Sequence, residues 1–233
     1  MRVIVRERVD SFVLVEQHEH ALVSGEFARR WVEEPVPAGP TLYAVENHDV
    51  GWREPDREVH WNEASGRPHS FVDHPLGPKL EAWRQGIEWV EAREAYAGLL
   101  CSLHYARFVQ GSENPAEVEF REREAARQER LRLGVSPAEL ENLERNFRFL
   151  RLCDGLSLYL FLYGPGEPGY PPPTPEGFEF DGTRFDLVWE DREHVRLEPF
   201  ALTGPFEVSV PYREVGRDRR LLGEGRIRIL VSG

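Results

Sequence analysis

A chain of 233 residues, 40% hydrophobic and 30% charged, is long enough to bury a sizeable core and has the balance of a globular protein. Its net charge of −12 argues against a broad phosphate-backbone surface, so no nucleic-acid polymer is expected as a partner. No apolar run approaches the ~20 residues that span a bilayer, and MRVIVRERVD alternates apolar with charged residues where a signal peptide would be continuously apolar. No membrane contact and a cytoplasmic location are therefore expected.

Met1 to Gln17 reads as two short strands, MRVIVRE and SFVLVEQ, joined by a turn at Val9 and Asp10. A helix is predicted from about Glu19 to Trp31, then a loop from Glu33 to Pro40, where prolines cluster. A short helix from Thr41 to Val50 should end at Gly51. Trp52 to Pro78 is rich in Pro, His, Asp and Gly and is longer than most connections, as functional loops often are. A long helix follows from about Lys79 to Gln110, with Gly98 and the Gly111-Ser112 exit as places to kink and end. Ala116 to Leu133 carries Glu and Arg at helical spacing and reads as a solvated surface helix. Ser136-Pro137-Ala138-Glu139 has the form of a capping box, starting a helix that should run to Tyr163 and stop at Gly164-Pro165. Pro165 to Pro175 is too proline-rich for helix or central strand. Beyond it FEFDG, RFDLVWE, HVRLEPF, FEVSVPY and RIRILV read as strands. Cys101 and Cys153 both fall in apolar helical runs and are expected as reduced core residues.

Four polar residues stand inside segments that otherwise build core. Asp154 lies on a stripe with Leu140, Leu143, Phe147, Leu150, Leu158 and Phe161, so it points inward. A carboxylate there is destabilising unless neutralised, by a salt bridge, a helix cap or a metal. His20 heads a stripe through Val23, Phe27 and Trp31, where a satisfied core histidine is the plain alternative. His48 and Asp49 are adjacent, about 100° apart around a helix, and can reach one ion at the helix edge. Ordinary polarity before Gly51 would explain them equally. His104 shares a face with Ala97, Cys101 and Phe108. Together these imidazoles and carboxylates suit one divalent cation such as Mg, Mn, Fe, Ni or Zn.

The order His20, then His48-Asp49, then a distant Asp154 resembles the HD-domain superfamily of metal-dependent phosphohydrolases. HALVSGEFA from His20 is similar to that superfamily's first metal helix, ENHDVGW to the His-Asp helix end, and LRLCDGLS to the helix carrying the last Asp. The wider pattern QHEHA, HDVGW, SLHY, LCDGLSLY also resembles a bacterial family of unknown function. Trp52 stands where many HD proteins have a basic residue, and Arg53 is the candidate replacement. The expected fold is α+β: an HD-like helical bundle over about residues 18–163, with an antiparallel β-sheet built from N-terminal strands (1–17) and a β-rich C-terminal part (about 176–233), all in a single domain.

The resemblance implies a hydrolase acting on a nucleotide or other small phosphorylated molecule. His20, His48, Asp49 and Asp154 would hold the metal, with His74 and His104 as further candidate ligands. Asp49, Arg53 and His104 are the candidate catalytic residues, Arg53 meeting the anionic group of the substrate. The general base stays open between Glu54 and Asp56. The Trp52–Pro78 stretch, with Trp61, His69, Phe71 and His74, is either a lid over the site or a surface loop anchored by its aromatics. Two other readings stand beside this one: a di-iron HD-type oxygenase, and a non-enzymatic metal-binding or scaffold protein.

Overall fold

The structure is a computed structural model that describes residues 3–162 and 178–233. Strands β1 (Val3–Glu7) and β2 (Ser11–Glu16) pair as an antiparallel hairpin. β2 runs directly into helix α1 (Gln17–Arg30). The fully buried carboxylate of Asp56 secures that junction by accepting the Gln17 backbone N–H at 2.8 Å, which satisfies one of the donors a helix N-terminus leaves open.

Helix α2 (Ala38–Asn47) ends earlier than predicted, with His48 as its C-cap, and a 3-10 turn, Val50–Trp52, follows. This turn lies on helix α3 (Leu76–Glu91), and the contact requires glycine. A Cβ on Gly51 would sit 2.1 Å from the Ala82 carbonyl oxygen and 3.0 Å from the Gly86 backbone. The chain leaving the His48-Asp49 pair is thus pressed against α3 at a point where no side chain fits. Between this turn and α3 the chain forms a small hairpin, β3 (Trp61–Asn62) and β4 (Arg67–Pro68). Trp61 packs edge-on against Phe12 at 5.8 Å, so this hairpin covers the first strands.

The single long helix predicted from Lys79 to Gln110 is two helices, α3 and α4 (Ala95–Ala106), with the break at residues 92–94. Gly98 does not kink α4. It lets α4 pass α3 closely, since a Cβ there would lie 2.7 Å from the Glu91 Cα. Helix α5 (Pro115–Gly134) carries the charged stretch, yet Glu124 is fully buried and paired with Arg127. The Ser136–Glu139 capping box is present, but it starts only the brief α6 (Pro137–Glu141) before α7 (Leu143–Leu162) begins. The predicted helix stop at Tyr163 to Pro165 and the proline-rich stretch to Pro175 lie outside the described residues.

Strands β5 (Phe178–Phe180), β6 (Thr183–Trp189), β7 (His194–Glu198), β8 (Phe206–Gly216) and β9 (Leu221–Ser232) join the first two in a seven-stranded sheet of order β1-β2-β8-β9-β7-β6-β5. This corrects the expected architecture. The protein is α+β, but its sheet is large, curled and mixed, and the seven helices of the described residues are not an HD-like bundle carrying a small antiparallel sheet. The connection between β7 and β8 steps past the end of β9, so these two strands flank β9 in opposite directions. β8 is antiparallel to β9, and β7 is therefore parallel to it. Apolar alternation assigns each residue to a face but says nothing of the direction of the neighbouring strand.

Helices and sheet share one core. Trp31 at the end of α1 meets Phe149 of α7, Phe180 of β5 and Phe185 of β6, with ring centroids 5.9, 6.1 and 5.0 Å away. Phe27 meets Phe206 of β8 at 5.2 Å. These contacts fix α1 and α7 on the sheet, while α2 and α4 close over them. Cys101 and Cys153 are free and buried. Among the described residues no helix is long and apolar enough to cross a membrane.

Candidate metal centre

α1, the end of α2, α4 and α7 each send polar side chains into one buried space. His20 from α1 places Nε2 2.8 Å from Asp49 Oδ2. His48 places Nε2 3.8 Å from the same oxygen and 3.5 Å from Asp154 Oδ1 on α7. His20, His48, Asp49 and Asp154 are 1%, 1%, 7% and 4% exposed, so water does not solvate their charges. One ligand atom from each of His20, His48 and Asp154 lies within 4.8 Å of the others, a spacing that can hold a metal ion.

The surrounding hydrogen bonds orient these rings as ligands need. His48 Nδ1–H donates to the Val45 carbonyl at 2.7 Å, which turns Nε2 toward the carboxylates, 3.5 Å from Asp154 Oδ1. His20 Nδ1 lies 2.8 Å from Ser157 Oγ, which in turn donates to the Asp154 carbonyl at 3.0 Å. Without a metal the Nε2–H donates to the ionised Asp49 carboxylate, and a cation would take the place of that proton, while Ser157 holds the ring through Nδ1. Metal-bound histidines are commonly tied in this way through their second nitrogen. Tyr105 OH donates to Asp49 Oδ1, and Arg107 lies 3.5 Å from Asp154 Oδ2. The donor set therefore fits a divalent cation by chemistry, burial and ring orientation.

The charges in this space are mutually dependent. Burial pushes the Asp49 carboxyl up, but His48, the His20 hydrogen bond and charge, and the Tyr105 hydroxyl outweigh it and bring it to about 2. Burial pushes the His48 imidazole down, and Asp49 and Asp154 outweigh that and raise it to about 9. Without a metal, an imidazolium supplies the positive charge between the carboxylates. His104 is different: burial, then Arg107 and His48, hold it well below the usual imidazole range, so it is neutral.

Beside the cluster a cavity of about 260 Å³ opens to solvent. His20, Asp49, His104 and Asp154 form its polar end. Trp52, Phe71, Trp83, Tyr105 and Phe108 supply aromatic walls, and Lys79 is the basic residue in the lining. Of the predicted site residues, His20, His48, Asp49, Asp154 and His104 come together, His104 Nε2 lying 3.8 Å from Asp154 Oδ2. Arg53 does not join them. It is exposed, lies outside the cavity lining, and acts on Glu16, His18 and Glu19. His74 sits with His69 and His60, ring centroids 5.7 and 6.1 Å away, apart from the quartet. Asp56 is engaged at the start of α1, and Glu54 is exposed. From the Trp52–Pro78 stretch Phe71 and Val72 reach the cavity, while Trp61, His69 and His74 are not in its lining.

Sequence reasoning missed Gln17, Ser157, Tyr105, Lys79 and Trp83. Helical spacing contained a signal for two of them. Gln17 and Ser157 stand three residues from His20 and Asp154, on the same helix faces.

Comparison with known proteins adds a family without an activity. No curated protein and no solved structure matches the chain. One family profile matches residues 3–217, which span all three segments of the ligand set and most of the sheet, and the chain accordingly belongs to the DUF3891 family of proteins of unknown function.

Proposed function

We propose that His20, His48, Asp49 and Asp154 hold a divalent cation and that the protein is a metal-dependent hydrolase of small phosphate esters. The observation that carries this reading is the meeting of the four side chains from three chain segments, with the outward nitrogen of each histidine already bonded. Their order along the chain is that of the HD phosphohydrolases, which favours phosphate esters over other substrates of a metal site. A bound divalent cation would supply Lewis-acid stabilisation of phosphoryl charge and a more acidic water.

The residues of the chain supply the rest. His104 lines the cavity and its Nδ1 is buried without a hydrogen-bond partner, so it is the candidate proton acceptor. Lys79, in the cavity wall, offers positive charge to an ester oxygen. Arg107 and Tyr105 hold the two carboxylates in place. The aromatic walls limit water around the reacting group. A di-iron oxygenase would draw on His74, which lies with His60 and His69 instead.

The test is phosphate release from phenyl phosphate and glycerol phosphate by protein loaded in turn with Mn, Fe, Ni and Zn. Turnover is expected with at least one metal, with loss in Asp49→Asn and a fall of about 10²–10⁴-fold in His104→Ala. Metal-loaded protein that releases no phosphate from either ester would overturn the reading.

A further inference from the structure

The lining of the cavity has a composition that the reaction itself does not require. Among the described residues its acidic members are Asp49, Asp154 and Glu117 and its basic member is Lys79, while Arg107, outside the lining, pairs with Asp154 at 3.5 Å. Even with a divalent cation in place, little positive charge is left for a ligand bearing several anionic groups. The walls leading outward are apolar instead. Phe108 and Val72, on separate segments, line the cavity and are 53% and 68% exposed. Large apolar side chains left open beside a polar cluster suit coverage by a ligand. Phe108 continues inward to Trp83 at 5.8 Å, and Trp83 to Tyr105 at 4.9 Å, as a tilted aromatic set.

Gln17 adds a specific polar feature. It is 2% exposed and lines the cavity, one helical turn before His20, and its Nε2 has no hydrogen-bond partner. A buried amide N–H without an acceptor is costly, and a ligand acceptor in the cavity would relieve that cost.

We infer that the cavity takes a small ester with a planar aromatic body and a single anionic group, its body against Phe108 and Trp83 and one of its acceptor oxygens received by Gln17 Nε2. This rests on the hydrolase reading only for which end of the ligand meets the quartet. Gln17 and Phe108 are then specificity-determining residues.

Binding of non-hydrolysable probes tests the inference without turnover. Calorimetry on metal-loaded protein would compare phenylphosphonate, methylphosphonate and benzene-1,4-diphosphonate. Phenylphosphonate is expected to bind roughly tenfold or more tightly than methylphosphonate, and the second anionic group of the diphosphonate is expected to weaken binding. Phe108→Ala, at a half-exposed position that the fold tolerates, should collapse the phenyl-to-methyl ratio. Gln17→Leu should weaken both monophosphonates about equally, with metal content unchanged. Equal binding of phenyl and methyl probes, no measurable binding of phenylphosphonate, tighter binding of the diphosphonate, or a ratio untouched by Phe108→Ala would each overturn the inference. Failure of the hydrolase reading would look different: the phenyl preference would persist while phenyl phosphate released no phosphate.

Discussion

With no cation bound, His48 is held as an imidazolium. Burial opposes the charge, but Asp49 and Asp154 outweigh burial and raise its pKa to about 9 from 6.5. A group whose pKa is higher in the folded state stabilises the fold fully below its unfolded value, and the contribution disappears as pH rises through the folded value. For His48 that window runs from 6.5 to about 9. At about 1.4 kcal/mol per pKa unit, the imidazolium is worth about 3 kcal/mol to the metal-free fold at acid pH. Urea unfolding in the presence of a chelator, from about pH 6 to about pH 9, should show the wild type losing stability of that order. His48→Ala should be less stable at the acid end and flatter across the range. Burial raises the Cys101 and Cys153 thiols as well, and their contribution falls away in the same direction, but only as free thiols ionise and in both proteins alike. The difference between the two profiles therefore reports His48 together with the charges it holds, Asp49 foremost. Added metal should reverse the trend, because ligation needs the neutral ring and metal stabilisation grows with pH. A wild-type profile in chelator that stays flat, or one that His48→Ala leaves unchanged, would refute the reasoning.

Gly51→Ala should destabilise the protein by about 3 kcal/mol or more, because its methyl group meets the Ala82 carbonyl and the Gly86 backbone; thermal unfolding measures this, and an unchanged Tm would contradict the close approach. Ser157→Ala removes the hydrogen-bond partner of His20 Nδ1 and should weaken metal affinity by about 10–100-fold with the fold intact, read by competition with a metal-sensitive dye. Arg53→Ala should leave metal content and phenylphosphonate binding unchanged, since Arg53 is exposed and outside the cavity lining; a loss of binding would place it in the site after all.

His20 and Asp154 could be read from the chain because each interrupts an apolar stripe, and helical periodicity alone sends both inward. His48-Asp49 could be read because Gly51 marks a helix end nearby. Ser157 and Gln17 were on the same faces, but a serine or glutamine on an apolar face is too common to stand out. The strand segments were visible from alternation, whereas the parallel pairing of β7 with β9 depends on which strand the chain passes between them. The break between α3 and α4 falls at Ala92-Arg93-Glu94, which contains neither proline nor glycine, so no local signal marked it. Arg53 was chosen by analogy of position after the His-Asp pair, and the 3-10 turn that Gly51 permits carries it to the surface instead.

Elemental analysis bears most directly on the centre itself. Protein dialysed against a mixture of Mn, Fe, Ni and Zn, then desalted, should retain close to one ion per chain. His20→Ala, His48→Ala and Asp154→Ala should each lose it while keeping the wild-type far-UV circular dichroism. Wild-type protein that emerges without metal, or folded variants that keep a full complement, would contradict the account.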